Sequence, residues 1–200
     1  MNKRSAVMIA LLIALMMIAV ACGGSDSGDA GSAAEGDAEE ETAVATYSEN
    51  DVTFDYPEDW QQFSADAAAS SMGSNELWDT TVGPDDTNLV NITAYQLNID
   101  VTEENVADIE RELDGVIQQV VDQAGGEIAS GPTQGSLAGF PSYEYEWTGV
   151  DVDGEPKDSR AIFLFNNDVE YFLNCQYSTE TEEDVLAGCQ LILDTFEATA

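Results

Sequence analysis

The sequence predicts an α+β domain in which antiparallel strands pack against helices. Short segments of alternating apolar and polar residues, separated by Gly, Pro, Asn and Asp, indicate strands joined by tight turns. Apolar residues at three- and four-residue steps over 102–124, and again over 181–195, indicate two amphipathic helices. About 150 residues follow Tyr47, which is enough for one core and one domain.

The first 21 residues have the pattern of a cleaved signal peptide. Lys3 and Arg4 precede an apolar run that ends at Ala21. At about 1.5 Å per residue this run is too short to span roughly 30 Å of hydrocarbon comfortably. We therefore exclude 1–21 from the fold and expect the mature chain to begin at Cys22.

The end of this run resembles the lipobox of bacterial lipoproteins, in which small residues precede a cysteine. Ala19, Val20 and Ala21 stand before Cys22, although leucine is the usual residue at the first of these positions. The resemblance implies cleavage before Cys22, a diacylglyceryl group on its thiol, and acyl chains such as palmitate that hold the protein at the extracytoplasmic face of the cell membrane. The alternative is an ordinary signal peptide that leaves Cys22 unmodified.

Residues 22–46 are predicted to be a lipidated cysteine followed by a disordered acidic tether. The segment consists mainly of Gly, Ser, Ala, Asp and Glu, and no aromatic residue precedes Tyr47. Such a composition cannot bury enough apolar surface to offset the entropy of ordering it. We expect the tether to hold a globular domain, 47–200, about 30 Å or more from the membrane.

The first half of the domain is predicted to contain strands at 52–56, 77–82 and 89–97. Val52, Phe54 and Tyr56 alternate with polar residues, and a turn at 57–59 leads to a second apolar stretch that begins with Trp60 and Phe63. The small-residue segment 65–71 is predicted to be a loop or short helix. The expected apolar side of the 89–97 strand consists of Val90, Ile92 and Ala94.

A long helix is predicted from Thr102 to Ala124. Asp100 or Thr102 is expected to cap it, and Gly125 and Gly126 to end it. One apolar stripe is expected to face the core, formed by Val106, Ile109, Leu113, Val116, Ile117 and Val120.

The second half is predicted to be an antiparallel meander followed by a helix. Strands at 142–150, 161–165 and 170–177 are separated by turns at Asp153-Gly154 and at 166–168. Thr179 and Glu182 have the spacing of a capping box ahead of a helix over 181–195. Its expected buried face consists of Val185, Cys189, Ile192 and Phe196, joined by Leu186 and Leu193.

Cys175 and Cys189 are left to pair once Cys22 is lipidated. One lies on the last predicted strand and the other on the core-facing side of the last helix. Because disulfides persist outside the membrane, we predict a bond that closes a loop of about 15 residues and contributes roughly 3 kcal/mol. The alternative is two buried free thiols.

The acidic excess restricts the partners. The chain has 40 acidic and 5 basic residues, which argues against nucleic acid and against anionic membrane surfaces. Two explanations stay open: a halophilic-like surface adapted to high salt, or a dedicated cation-binding face.

The sequence lacks the residues of several common catalytic sites. It contains no histidine, which removes Ser-His-Asp and Cys-His sites and most zinc sites. No Gly-rich phosphate loop is present. The acidic run 151–155 with Asp158 has some likeness to a calcium loop but lacks the EF-hand spacing, so a hairpin turn explains it better. We predict no catalytic residue, no metal site and no cofactor.

Three short motifs resemble the PsbP-like domains of the Mog/PsbP superfamily, and in particular small exported lipoproteins of the LpqN type. The motifs are Val-Thr-Phe-Asp-Tyr-Pro-Glu-Asp-Trp at 52–60, Gly-Phe-Pro at 139–141 and Asp-Thr-Phe at 194–196. The resemblance covers about 47–198. It implies an α/β/α sandwich with a central antiparallel sheet flanked by helices, and no enzyme activity. Photosystem docking in that superfamily relies on basic surfaces, so this partner cannot be transferred to a chain with three basic residues after the signal peptide.

The function expected from these observations is that of a lipid-anchored, non-catalytic binding or accessory domain of the cell envelope. We expect a monomer that contacts the membrane through its anchor and binds an envelope protein or a small ligand. The alternative is a carrier or sensor for a small ligand or cation, and a more remote one is a carboxylate-based hydrolase.

Overall fold

The computed structural model of the chain describes residues 43–63, 75–102 and 104–199. The predicted signal peptide, Cys22, most of the predicted tether and the predicted loop or short helix at 65–71 lie outside the described residues. Residues 44–46, which were assigned to the tether, instead begin a strand. The first described strand therefore begins three residues before Tyr47.

The described residues form ten strands and two helices. In chain order these are β1 (Val44–Glu49), β2 (Val52–Pro57), β3 (Gln61–Phe63), β4 (Glu76–Gly83), β5 (Leu89–Gln96), α1 (Val106–Gln123), β6 (Glu127–Leu137), β7 (Phe140–Val152), β8 (Glu155–Asn166), β9 (Val169–Tyr177), α2 (Glu182–Thr195) and β10 (Glu197–Ala198). Among these residues no helix is both long and apolar enough to cross a membrane.

The strands form two antiparallel sheets rather than one. Seven strands make a large sheet in the order β3-β4-β5-β9-β8-β7-β6, and a small sheet has the order β1-β2-β10. The predicted meander of three strands is confirmed as β7, β8 and β9. The small sheet was not predicted as a separate sheet, because it joins the first strands of the domain to residues 197–198 at its end.

The large sheet is buried on both faces along β8. Ala161, Phe163 and Phe165 cluster with the apolar stripe of α1. Ile162 and Leu164, on the opposite face, cluster with α2 and with β2 of the small sheet. Because side chains alternate between the two faces of a strand, β8 separates two hydrophobic cores.

Helix α1 begins four residues later than predicted. Neither Asp100 nor Thr102 caps it; Asn105 occupies the N-cap position and forms no side-chain bond to the helix. The Asn105 side chain instead closes a preceding turn, accepting a hydrogen bond from the Thr102 amide and donating one to the Asp100 carbonyl. Gly125, at φ 77°, ends the helix as predicted.

The buried residues of α1 differ slightly from the predicted stripe. They are Ile109, Leu113, Ile117 and Val121, whereas Val106, Val116 and Val120 are partly exposed. Because an α-helix has 3.6 residues per turn, the side of α1 that faces the core includes Val121 in its last turn.

Strand β6 was not predicted. Its sequence contains Gly131 and Pro132 and does not alternate, and the register is irregular between Ser130 and Thr133. An edge position tolerates this, since proline lacks the donor that a central strand needs. Gly131 has φ 110°, and a Cβ there would lie 2.7 Å from the Glu144 carbonyl oxygen.

The turns of the second half follow the prediction, but the helix cap does not. Asp153 and Gly154 both have positive φ between β7 and β8, and Asn167 has φ 54° between β8 and β9. The prediction of a capping box formed by Thr179 and Glu182 is wrong. Thr181 is the N-cap residue of α2, and it forms no side-chain cap bond.

Candidate functional site

The basic side chains of the described residues are all engaged with carboxylates. Arg160 binds Glu144 through two hydrogen bonds of 2.8 and 3.0 Å. Arg111 lies 3.0 Å from Asp108 on the surface of α1. No basic side chain in this part of the chain is therefore left to recruit a phosphate or another anion.

The buried lysine belongs to a structural network. Lys157 is 2% exposed and donates to Thr87 Oγ1 at 3.2 Å, while its ammonium lies 3.4 Å from Glu155. Burial raises the pKa of Asp85, but hydrogen bonds from Asn88 and Thr87 outweigh it and lower that pKa below its usual value. The sequence gives no signal for this burial, because the lysine is buried by contact with the distant β4–β5 loop.

A cleft of about 350 Å³ opens where the two sheets meet the β8–β9 turn. Its volume lies at the lower end of the range of small-molecule sites. Trp78 and Tyr171 form an aromatic wall, with ring centroids 6.0 Å apart. The remaining lining comes from the β1–β2 turn, the start of β4, the β8–β9 turn and the C-terminus, namely Asn50, Asp51, Leu77, Asn166, Asn167, Asp168, Val169 and Thr199.

The lining of the cleft is amide-rich and acidic. Its charged side chains are Asp51 and Asp168, and no basic residue contributes to it. Burial raises the pKa of Tyr171, and the negative charge of Asp51 adds to the effect. An aromatic wall beside amide and carboxylate groups suits a neutral polar or cationic ligand, and the acidic lining disfavours an anion.

A buried acid lies on the other face of the same region. Glu170 on β9 is 2% exposed, and its Oε2 accepts no hydrogen bond from the described residues. Burial raises the pKa of Glu170 to about 8. The sequence gives little to distinguish Glu170 from the other acidic residues, of which the chain has 40 in all. The one signal is that Glu170 lies in a predicted strand between two apolar residues, Val169 and Tyr171.

The predicted cysteine pair is present as a disulfide. Cys175 on β9 and Cys189 on α2 are joined with an S–S distance of 2.02 Å and a Cα–Cα distance of 6.0 Å. Both cysteines are fully buried in the core on the α2 side of the large sheet. The bond therefore ties the last helix to the sheet.

The acidic turn at 151–158 uses its carboxylates within the hairpin. Asp151 accepts a hydrogen bond from the Gly154 amide, and Asp158 accepts one from the Gly149 amide, both at 2.9 Å. Within the described ranges, no group of three His, Cys, Asp or Glu side chains is arranged to hold a metal ion.

Two solved structures of other proteins align with this chain at a TM-score above 0.5. The solution structure of cyanobacterial PsbP (CyanoP) from Synechocystis sp. PCC 6803 aligns with a TM-score of 0.56 at 12% identity, covering 83% of this chain and 98% of that one. The crystal structure of LpqN, involved in cell envelope biogenesis of Mycobacterium tuberculosis, aligns with a TM-score of 0.52 at 12% identity, covering 79% of this chain and 91% of that one. At this identity the likeness shows the fold alone.

A match over nearly the whole chain shows the family. A search of curated proteins found no match to this sequence. The family model described as PsbP-like protein matches residues 6–198. The chain belongs to the PsbP-like protein family.

Proposed function

We propose that this protein is an exported, lipid-anchored and non-catalytic binding or accessory domain of the cell envelope. Three observations support the proposal: the apolar segment that ends at Cys22, membership of the PsbP-like family, and a fold shared with LpqN, a protein of cell envelope biogenesis. The lack of histidine leaves no His-based nucleophilic site in the chain.

The cleft between Trp78 and the β8–β9 turn carries the binding role. It combines an aromatic wall with amides and carboxylates, and Leu77 stands at its edge with 50% exposure. We propose that the domain acts as a monomer on an envelope protein or small ligand, contacts the membrane through its anchor, and does not bind nucleic acid.

We further infer that the domain is an α/β/α sandwich of the PsbP-like type. In this arrangement α1 forms one outer layer, and α2 with the small sheet forms the other. The cleft then lies at the end of the layers, lined by strand ends and short turns.

Mass spectrometry of the native protein tests the anchor. The expected mature species begins at Cys22 and carries the added mass of a diacylglyceryl group. Cys22→Ala, expressed in parallel, should lose that mass and leave the membrane fraction. A species that retains residues 1–21, or that begins at an unmodified Cys22, contradicts the anchoring.

Photo-cross-linking of the full chain in native membranes tests the cleft. A photoreactive phenylalanine analogue in place of Leu77 should capture the occupant, and Trp78→Ala in the same protein should reduce the yield. The matched control is the analogue in place of Val44, which is similarly exposed (48%) but lies outside the cleft. Equal adducts from both positions contradict a specific cleft partner.

The second candidate is a carrier or sensor of a small ligand or cation. It is favoured by the acidic lining of the cleft, which attracts a positively charged ligand. Calorimetry with calcium and other divalent cations at high salt distinguishes the two functions: saturable binding favours the carrier, and its absence favours the protein-binding domain.

A further inference from the structure

The face of the large sheet that carries Glu170 is only half covered by α1. The main contacts of this helix are with β6 and β7, and its buried residues cluster with β7 and β8. On the same face, β4 and β5 carry Glu76, Asp79 and Tyr95, and β9 carries Glu170 two residues before the apolar Phe172. We name the group Glu76, Asp79, Tyr95 and Glu170 the carboxylate patch.

Glu170 points into this patch. Tyr171, Leu173 and Cys175 of β9 belong to the core on the α2 side, so strand alternation directs Glu170 to the opposite face. Its cross-strand neighbours are Tyr95 on β5 and Phe165 on β8.

Tyr95 lies between two glutamates in the strand register. Glu76 pairs with Tyr95 from β4, while Glu170 pairs with it from β9. Directly opposite residues have Cβ atoms about 4.5–5.5 Å apart, so Tyr95 separates two carboxyl groups on strands about 10 Å apart. Asp79 lies one step along on β4, opposite Thr93. Glu76, Asp79 and Tyr95 are partly exposed, so solvent reaches the patch beside the buried Glu170.

No basic side chain of the described residues neutralises the carboxylate patch. Burial raises the pKa of Asp79, and burial together with the charge of Asp79 raises the pKa of Glu76. Burial and the charges of Glu76 and Glu170 raise the pKa of Tyr95 to about 12. The three basic side chains of the described residues pair with other carboxylates, so none of them neutralises this group.

A bare metal ion fits this arrangement poorly, because no three ligating side chains of the described residues converge on one point. An organic ammonium group fits it better. Its charge can be shared among separated carboxylates, its N–H groups can serve the unpaired Glu170 Oε2, and it can lie over an aromatic ring.

We propose that the carboxylate patch binds an organic ammonium ion, with Glu170 as its buried counter-ion. The group is either a free amine or a lysine side chain of a partner protein. On binding, the Glu170 carboxyl releases its proton to solvent and pairs as a carboxylate with the ammonium, so affinity increases with pH. The strand register places Tyr95 directly opposite Glu170 on β5, with Glu76 and Asp79 one strand further away on β4. On the other side its partner is Phe165 of β8, which carries no charge. This inference is independent of the lipid anchor and of the cleft.

Calorimetric titration of the full chain tests the proposal, with cadaverine as the free amine and an acetylated tri-lysine peptide as the protein-like probe. Potassium chloride keeps the ionic strength constant. We expect saturable 1:1 binding of at least one probe, with tighter binding above pH 8 than near pH 6. The observed binding enthalpy should vary with the ionisation enthalpy of the buffer, as the release of a proton requires. The probe that binds identifies the source of the ammonium group.

Variants separate specific binding from general attraction to an acidic protein. Glu170→Gln and, as a partly exposed second variant, Asp79→Asn should each weaken binding at least tenfold. Glu180→Gln removes an exposed charge before α2 and should change it less than twofold. Weak, non-saturable binding that is the same in all four proteins overturns the proposal, whatever the result of the cross-linking experiment.

Discussion

Glu170→Gln is expected to stabilise the protein at alkaline pH and to leave it nearly unchanged at acidic pH. Burial raises the pKa of Glu170 from 4.5 to about 8 in the folded chain. Between these values the unfolded chain releases the proton while the folded chain retains it. Stability therefore falls as the pH rises through this window and levels off above it. At 1.36 kcal/mol per pKa unit, the full window corresponds to about 5 kcal/mol.

Urea unfolding followed from about pH 4 to about pH 9 measures this difference. The free energies of unfolding of the wild type and Glu170→Gln should agree at the acidic end. They should diverge by several kcal/mol at the alkaline end, because glutamine has no proton to lose. High salt limits the self-repulsion of an acidic chain, and Glu180→Gln controls for the loss of one exposed charge. Parallel curves for the wild type and Glu170→Gln would refute the assignment of Glu170 as a buried, protonated acid.

Three further substitutions test the packing of the helices. Gly188→Ala on α2 should destabilise the protein by about 1–3 kcal/mol, because the new Cβ would overlap the Trp60 ring. Gly115→Ala on α1, where a Cβ meets nothing within 4 Å, should raise the free energy of unfolding by about 0.5–1 kcal/mol in the same denaturation assay, and equal effects at the two glycines would contradict this contrast. The double variant Cys175→Ala/Cys189→Ala should lose at least about 3 kcal/mol, because the bond joins cysteines that are 14 positions apart in the chain. A loss below about 1 kcal/mol would show that the bond does little for stability.

The strands with clear alternation were predicted correctly from the sequence. Val90, Ile92 and Ala94 are fully buried on β5, as their spacing indicated. On such strands the apolar core residues recur at every second position, so the periodicity of the sequence predicts the packing. The Asp153-Gly154 turn was also predicted correctly, since both residues tolerate the positive φ that a two-residue hairpin requires.

The carboxylate patch was not predictable from local patterns. Glu76, Asp79, Tyr95 and Glu170 come from three strands, which become neighbours through the β5–β9 and β4–β5 pairings. The cleft has the same origin, because its aromatic wall joins β4 to β9. Residues that are distant in the sequence form both the patch and the cleft. In a chain with so many acidic residues, no local pattern indicates which of them will become neighbours.

The sequence by itself determined the α+β class, both helices, most strands and the cysteine pair, because each depends on local periodicity, turn chemistry or compartment. Only the tertiary structure decided that the strands divide into two sheets, that a Gly- and Pro-containing segment pairs as β6 at the sheet edge, and that one glutamate among forty acids is buried without a partner. The physical reason is that burial and pairing are properties of long-range neighbours. A residue's own type constrains them weakly when many residues of that type are present.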